Sequence, residues 1–265
     1  MVNLFIMKLI LSFFIGCIWV IAVTVIAEKY GSKIGGIIAG LPSTSLLTLF
    51  FIALTQGTEK ASEAAIIIPF MVGATALFVL VYILLSKTNF YLGIISSILL
   101  WLIISTIIVV VKLQNLFYSF LGLVLFTSLS YFVLEKMLSI SSHQKKEMHY
   151  TFFQLGFRGI LTGIIIVLGV ILSYSAGALY GGIIASFPVL LLSTMVITYR
   201  EHGYAFSAAV MKVSMLSAAI NMSLYALAVY YFYPAYGLIY GTLLCLFSSL
   251  IVGISSYFII HKLME

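Results

Sequence analysis

Polar residues occur along this chain in short clusters, and the stretches between them are almost continuously apolar. The pattern divides the chain into nine apolar segments: 4–27, 34–55, 62–85, 90–111, 115–137, 151–173, 178–199, 204–232 and 236–260. Each is roughly 22 to 29 residues long, enough for a helix to cross a hydrocarbon layer with some tilt. Only one connection is long, 138–150. It carries His143, Lys145, Lys146, Glu147 and His149 and reads as a solvated linker. The expected class is an all-α polytopic membrane protein with about nine transmembrane helices.

Composition agrees with this reading. Of 265 residues, 63% are hydrophobic and 8% are charged, where a soluble domain carries about 25% charged residues. That excludes a soluble globule and leaves no room for a sizeable extramembrane domain. All seven acids are Glu, so chemistry that requires Asp is excluded, including an aspartyl phosphate and a Walker-B magnesium site. Cys17 and Cys245 lie inside apolar runs and read as small buried hydrophobes, with no disulfide framework. The first apolar run is too long for a signal peptide and lacks a basic start and a small-residue cleavage site, so it reads as a retained helix.

Nine spans place the termini on opposite sides. Lys8, Lys60 and Lys112 fall on the side of the N-terminus. On the other side fall Lys29, Lys33, Lys87, Lys136, Lys145 and Lys146, together with Arg158, Arg200 and Lys262. This imbalance predicts a cell-membrane protein with a cytoplasmic C-terminus and an outer N-terminus.

The chain also repeats itself. Gly35 through Pro42 (GGIIAGLP) matches Gly181 through Pro188 (GGIIASFP) at an offset of 146 residues. At the same offset Thr48 falls on Thr194 and Gly57 on Gly203. A weaker echo sets 99–102 against 243–246. The repeat pairs spans 1–4 with spans 6–9 and leaves the fifth unpartnered. Four is an even number, so the extra helix inverts the second half. The layout is then two inverted four-helix repeats, 1–112 and 151–265, joined by a linker helix and cytoplasmic loop, 113–150. Inverted repeats of this kind place a site near the bilayer midplane.

Pro42 and Pro188 lie about 12 to 15 Å into the second and seventh spans at 1.5 Å per residue. Each lacks an N–H and frees the carbonyl four residues back, that of Ile38 or Ile184. Such broken helices are tolerated in a membrane only where protein or a water-filled cavity meets the backbone. The break nominates Gly40, Pro42, Ser43, Thr44 and Ser45 from the first half as a binding site. From the second half it nominates Ser186, Pro188, Ser193 and Thr194. The competing reading is that Gly and Pro serve only as kinks and packing surfaces.

Few charges lie inside the spans. Lys212 is the deepest, Asn221 follows on the same helix, and Glu63 lies near the start of the third span. These three are candidates for a coupling or counter-ion role. In one reading Lys212 pairs with Glu63, binds an anionic substrate or exchanges protons. In the other, Glu63 is interfacial and Lys212 snorkels to water. Lys8 and Arg158 read as interfacial anchors, and Arg200, Glu201 and His202 as a solvated helix end. A cluster of Tyr and Phe over 230–240 reads as an interface belt. The chain has no P-loop, HExxH motif, histidine ligand set, arginine ladder or TVGYG filter, which argues against an enzyme, a metal or a cofactor.

The segment from Gly36 to Leu47 (GIIAGLPSTSLL), closing at Gly57, resembles one in small four-helix membrane proteins of the GlpM type. The resemblance covers about 25 residues per half, and the second copy departs from it at Val189 to Leu191. It implies a fused, duplicated member of an uncharacterised family and brings no substrate. The four-one-four layout is also similar to that of fused two-domain fluoride channels, in architecture only. The residues themselves favour a secondary transporter of a small solute or ion. A passive channel and a lipid-handling or structural membrane subunit remain open, as does a homodimer.

Overall fold

The computed structural model describes residues 2–29, 42–140 and 150–264, with side chains over 3–29, 42–140 and 150–256. Every element among them is helical. In chain order these are α1 (Val2–Lys29), α2 (Ser43–Gln56), α3 (Thr58–Ala65), α4 (Ile68–Ser86) and α5 (Phe90–Val111). Then follow α6 (Leu116–Phe132), which ends in a π-helical turn (Val133–Met137), and α7 (Phe152–Ala176). The last two are α8 (Ala178–Ala185) and α9 (Val189–Met264).

Six helical stretches among the described residues are long and apolar enough to cross a membrane. The count is lower than nine partly because the last stretch runs 79 residues, Ala178–Ser256. It is not straight. Gly203 (φ 80°) and Gly237 (φ 72°) interrupt α9 with non-helical backbone, giving arms over 189–202, 204–236 and 238–264. The Oγ of Ser256 reaches Oδ1 of Asn221 at 3.2 Å across 35 residues, which a straight helix would separate by about 52 Å. Thr198 Oγ1 likewise donates to Ser207 Oγ at 2.9 Å across Gly203. Both glycines therefore turn antiparallel hairpins. Gly57 (φ 99°) and Gly177 (φ 108°) have the same left-handed φ between consecutive helices. A Cβ at any of these four would meet nothing within 4 Å. The need for glycine there comes from the backbone angle and not from crowding.

Other turns use side-chain caps. Asn89 accepts hydrogen bonds from the amides of Tyr91 (2.9 Å) and Leu92 (3.2 Å), and Asn115 from those of Phe117 (3.0 Å) and Tyr118 (3.3 Å). Thr151 and Gln154 form a capping box at the start of α7. These bonds satisfy amides that have no partner within the helix.

The packing has a core and a rim. Helix α4 lies at the centre, with Phe78, Val79, Tyr82 and Ile83 all fully buried. The rim helices turn large apolar side chains outward, among them Ile18, Val110, Phe117 and Ile239, as a lipid-facing surface requires. Serine and threonine hydroxyls inside helices mostly bond back to their own backbone, as Thr75 does to the Met71 carbonyl and Ser105 to that of Trp101. The hydroxyl is thereby satisfied without leaving its helix.

Helices α1 and α7 pack antiparallel. Their order of contact runs from Phe5 against Tyr174 (ring centroids 4.7 Å apart) to Glu28, whose carboxylate accepts from the amide of Tyr150 at 3.3 Å. Small residues sit at the crossing. A Cβ on Gly163 would lie 2.8 Å from Cys17 Sγ and 2.9 Å from the Phe13 carbonyl oxygen. Cys17 is half-buried, Cys245 is buried, and both are free. Gly163→Ala should therefore destabilise the protein by about 1–3 kcal/mol, since backbone must shift to admit the methyl. Gly156→Ala, about two turns away on the same helix with open space around it, should be neutral or gain up to about 1 kcal/mol. Thermal unfolding in detergent distinguishes them, and equal effects would refute the close approach.

Candidate functional site

Two helices begin inside the bundle. Helix α2 starts at Ser43, with Pro42 as its cap residue and no side-chain acceptor on its first turn. The first intrahelical bond is Leu46 N–H to the Pro42 carbonyl, at 2.7 Å. The first arm of α9 starts at Val189 after the short break 186–188, and its first bond is Leu192 N–H to the Pro188 carbonyl at 2.9 Å. The two starts are neighbours. Ser45 Oγ donates to the Ala185 carbonyl at 2.7 Å across 140 residues.

The second break is internally satisfied. Ser186 Oγ donates to the carbonyls of Ile183 (2.7 Å) and Gly182 (3.1 Å). The Ile184 carbonyl, freed by Pro188, accepts from Phe187 N–H at 3.0 Å. The helix thus tightens into i+3 bonds before it stops, and its hydroxyls occupy the carbonyls that lost helical partners.

Around these helix starts lies a cavity of about 350 Å³, within the range of small-molecule sites. Pro42, Ser43, Thr44, Ser45, Ser186, Pro188 and Thr194 line it, all predicted from the sequence. Gly40 lies outside the described residues. Ser193 is buried but bonds to the Leu190 carbonyl at 2.9 Å and does not line the cavity. The remaining wall comes from α1, α4 and the second arm of α9, including Thr24, Thr75, Ser214, Ser217 and Met222.

The cavity holds one charge that the sequence did not assign to it. Arg158, expected as an interfacial anchor, is only 8% exposed and lines the cavity. Its Nη1 donates to Thr194 Oγ1 at 2.9 Å, and its Cζ lies 5.0 Å from the ring centroid of Tyr150. Its Nε is buried without a partner. No carboxylate among the described residues reaches ion-pairing distance of it. Tyr150, ahead of α7, has its phenol pushed above the ordinary value by burial. It therefore presents a neutral ring face to the cation. A signal for Arg158 was present in the composition: only it and Arg200 are Arg among 13 basic residues, and a buried or paired cation favours Arg over Lys.

The other predicted charges lie apart from the cavity. Lys212 is buried, but it ion-pairs with Glu135 of the π-helical turn and donates to the Ile140 carbonyl at 2.6 Å. It does not meet Glu63. Glu63 is half exposed on α3 and pairs with Lys60 at 2.6 Å, one turn away. Glu63 is engaged by Lys60 and Lys212 by Glu135, so the expected Lys212–Glu63 pair does not form. Asn221 is buried between Ser217 (3.1 Å) and Ser256 (3.2 Å) and holds the second and third arms of α9 together. Lys8 donates to the Leu54 carbonyl at 2.7 Å, at the C-terminal end of α2.

That end of the cavity region is tied shut. Gln56 Nε2 donates to the Val170 carbonyl at 3.4 Å, and Ser173 Oγ donates to Gln56 Oε1 at 3.0 Å. Phe51, Ile52, Tyr225, Val229 and Tyr233 fill the space below with fully buried side chains. At the opposite end the walls are the last turns of α1 and the first of α7, where Ala27, Tyr150 and Arg158 stand.

Residues 9–114 match the model of a family described as a protein of unknown function (DUF3147). The match spans less than half of the chain and ends beside the α5–α6 turn. No curated protein matches the chain. No solved structure matches it either. The likeness to GlpM-type proteins stays a resemblance of short segments.

The placement of the charges gives a direct test. Glu135→Ala leaves the buried Lys212 ammonium without its counter-charge and should cost about 3 kcal/mol of stability. Glu63→Ala removes an exposed pair and should cost about 0.5 kcal/mol or less. Unfolding of both variants in detergent checks this, and the reverse order would overturn the pairing.

Proposed function

We propose that the chain is a multi-pass membrane transporter that carries a small solute by alternating access around the cavity between α2 and the first arm of α9. The observation that carries this reading is the meeting of two helix starts, at Ser43 and Val189, around a cavity inside an apolar bundle. Interrupted helices in hydrocarbon are compatible with stability only beside protein or a wet cavity, and paired interruptions characterise transporter sites.

Further support comes from a relation between the halves. Gly57 and Gly203, 146 residues apart, share an extended-ψ, left-handed-φ turn (φ 99° and 80°). Helices α1 and α7 cross antiparallel where Cys17 meets Gly163, again 146 residues apart. The family match ends near the close of the first predicted repeat. These favour nine membrane crossings in two inverted four-helix halves, the long α9 supplying three of them. On this reading the cavity faces the side where α1 ends and α7 begins. The basic residues make that side cytoplasmic. The Gln56–Ser173 contact closes the outer side. An end closed in this way favours a carrier over an open channel. Lys212, buried with Glu135, is the better candidate for a coupling role, and exposed Glu63 has no support for one.

Two measurements test this. In a variant lacking Cys17 and Cys245, a cysteine at Ser217 should react with a membrane-impermeant maleimide from the cytoplasmic side only, whereas one at Gln56 reacts from outside. Labelling of the Ser217 position equally from both sides would indicate a pore. Proteoliposomes preloaded with the solute should show saturable counterflow. Flux that rises linearly with concentration and shows no exchange would sink the carrier reading.

A further inference from the structure

The chemistry of the cavity narrows the solute. Among the described residues Arg158 is its one cationic lining residue, and no acidic residue lines it. A lone guanidinium in an apolar bundle is unfavourable until an anion joins it. One edge of the group is already held: Nη1 bonds Thr194. The other edge carries no hydrogen bond: Nε is buried without a partner and Nη2 makes none among the described residues. Two parallel N–H donors on one guanidinium edge match the two oxygens of a carboxylate. Both helix starts add positive partial charge from their first turns.

The rest of the wall is of a different character. Val72, Leu190, Leu191, Val210, Val213 and Met222 also line the cavity. A volume of about 350 Å³ is far larger than a simple inorganic ion requires. Glu28 and Glu201 are both engaged elsewhere, with the Tyr150 amide (3.3 Å) and with Gln154 Nε2 (2.8 Å). The single positive charge is therefore left for a ligand.

We propose that this cavity binds a singly charged carboxylate with a small apolar body. The carboxylate lies on the Nε–Nη2 edge of Arg158 between the starts of α2 and α9, and the apolar body lies against the valines, leucines and Met222. The proposal rests on the reading of this cavity as the transported solute's site, but binding can be measured without transport.

The test uses the full chain purified in detergent and radiolabelled hexanoate. Hexanoate should bind saturably at one site per chain and raise the unfolding temperature. Hexanamide has nearly the same shape without the charge and should bind at least about tenfold more weakly. Arg158→Gln should lose hexanoate binding by a similar factor, with Arg158→Lys between the two. Should Arg158→Gln fail to fold, the hexanoate–hexanamide comparison on the unaltered protein decides alone. Equal binding of acid and amide would overturn the proposal, as would displacement of hexanoate by chloride or inorganic phosphate at equal concentration. Hexanoate binding without counterflow would support this site while removing the transport reading. Counterflow of a neutral solute without hexanoate binding would do the reverse.

Discussion

The hydrogen bond from Ser45 to the Ala185 carbonyl joins the start of α2 to the break between α8 and α9 inside an apolar bundle. In hydrocarbon no water is present to satisfy a freed backbone group, so a break is stable only if protein replaces the lost partner. Here a hydroxyl of α2 satisfies the last carbonyl of α8, and Ser186 and Phe187 take further carbonyls of that break. The position of α2 against α8 follows from this requirement. So does the cavity, because two helix starts held side by side cannot pack as densely as two continuous helices.

The same constraint accounts for where polar residues are found. Hydroxyls on continuous helices bond to their own backbone and leave the fold unchanged, as Thr75 and Ser105 do. Hydroxyls and amides that bond between helices hold the closed end, as Gln56 and Ser173 do. Arg158 differs from both, since it lines the cavity and its Nε has no partner. Lys212 makes the contrast clear. It is buried as deeply, but Glu135 and the Ile140 carbonyl satisfy it, so it fastens the second arm of α9 to the end of α6. Burial alone thus does not separate the two charges. The satisfaction of their donors does.

Turn glycines set how the remaining helices are arranged. Four left-handed positions, Gly57, Gly177, Gly203 and Gly237, reverse the chain with a single residue each. Such short reversals force neighbouring helices to pack antiparallel from their first turn. At the crossing of α1 and α7 the small residues Gly159 and Gly163 let backbones approach closely, the usual means of association where lipid offers no hydrophobic drive.

Much of this was legible in the amino-acid sequence. Runs of apolar residues mark helix limits, because span length is a local property. Pro42 and Pro188 precede helix starts for the same reason, and most residues nominated from them line the cavity. What the sequence could not decide was which side chains meet across the bundle. An arginine seven residues into a helix reads as an anchor until the rotation of α7 turns it inward to Thr194. A lysine and a glutamate on matched helices read as partners until the fold places Glu135 nearer to Lys212 than Glu63. Local sequence fixes where a helix starts and stops in hydrocarbon. Only the packing of helices fixes its rotation, and that rotation determines which charge is satisfied and which keeps a donor without a partner.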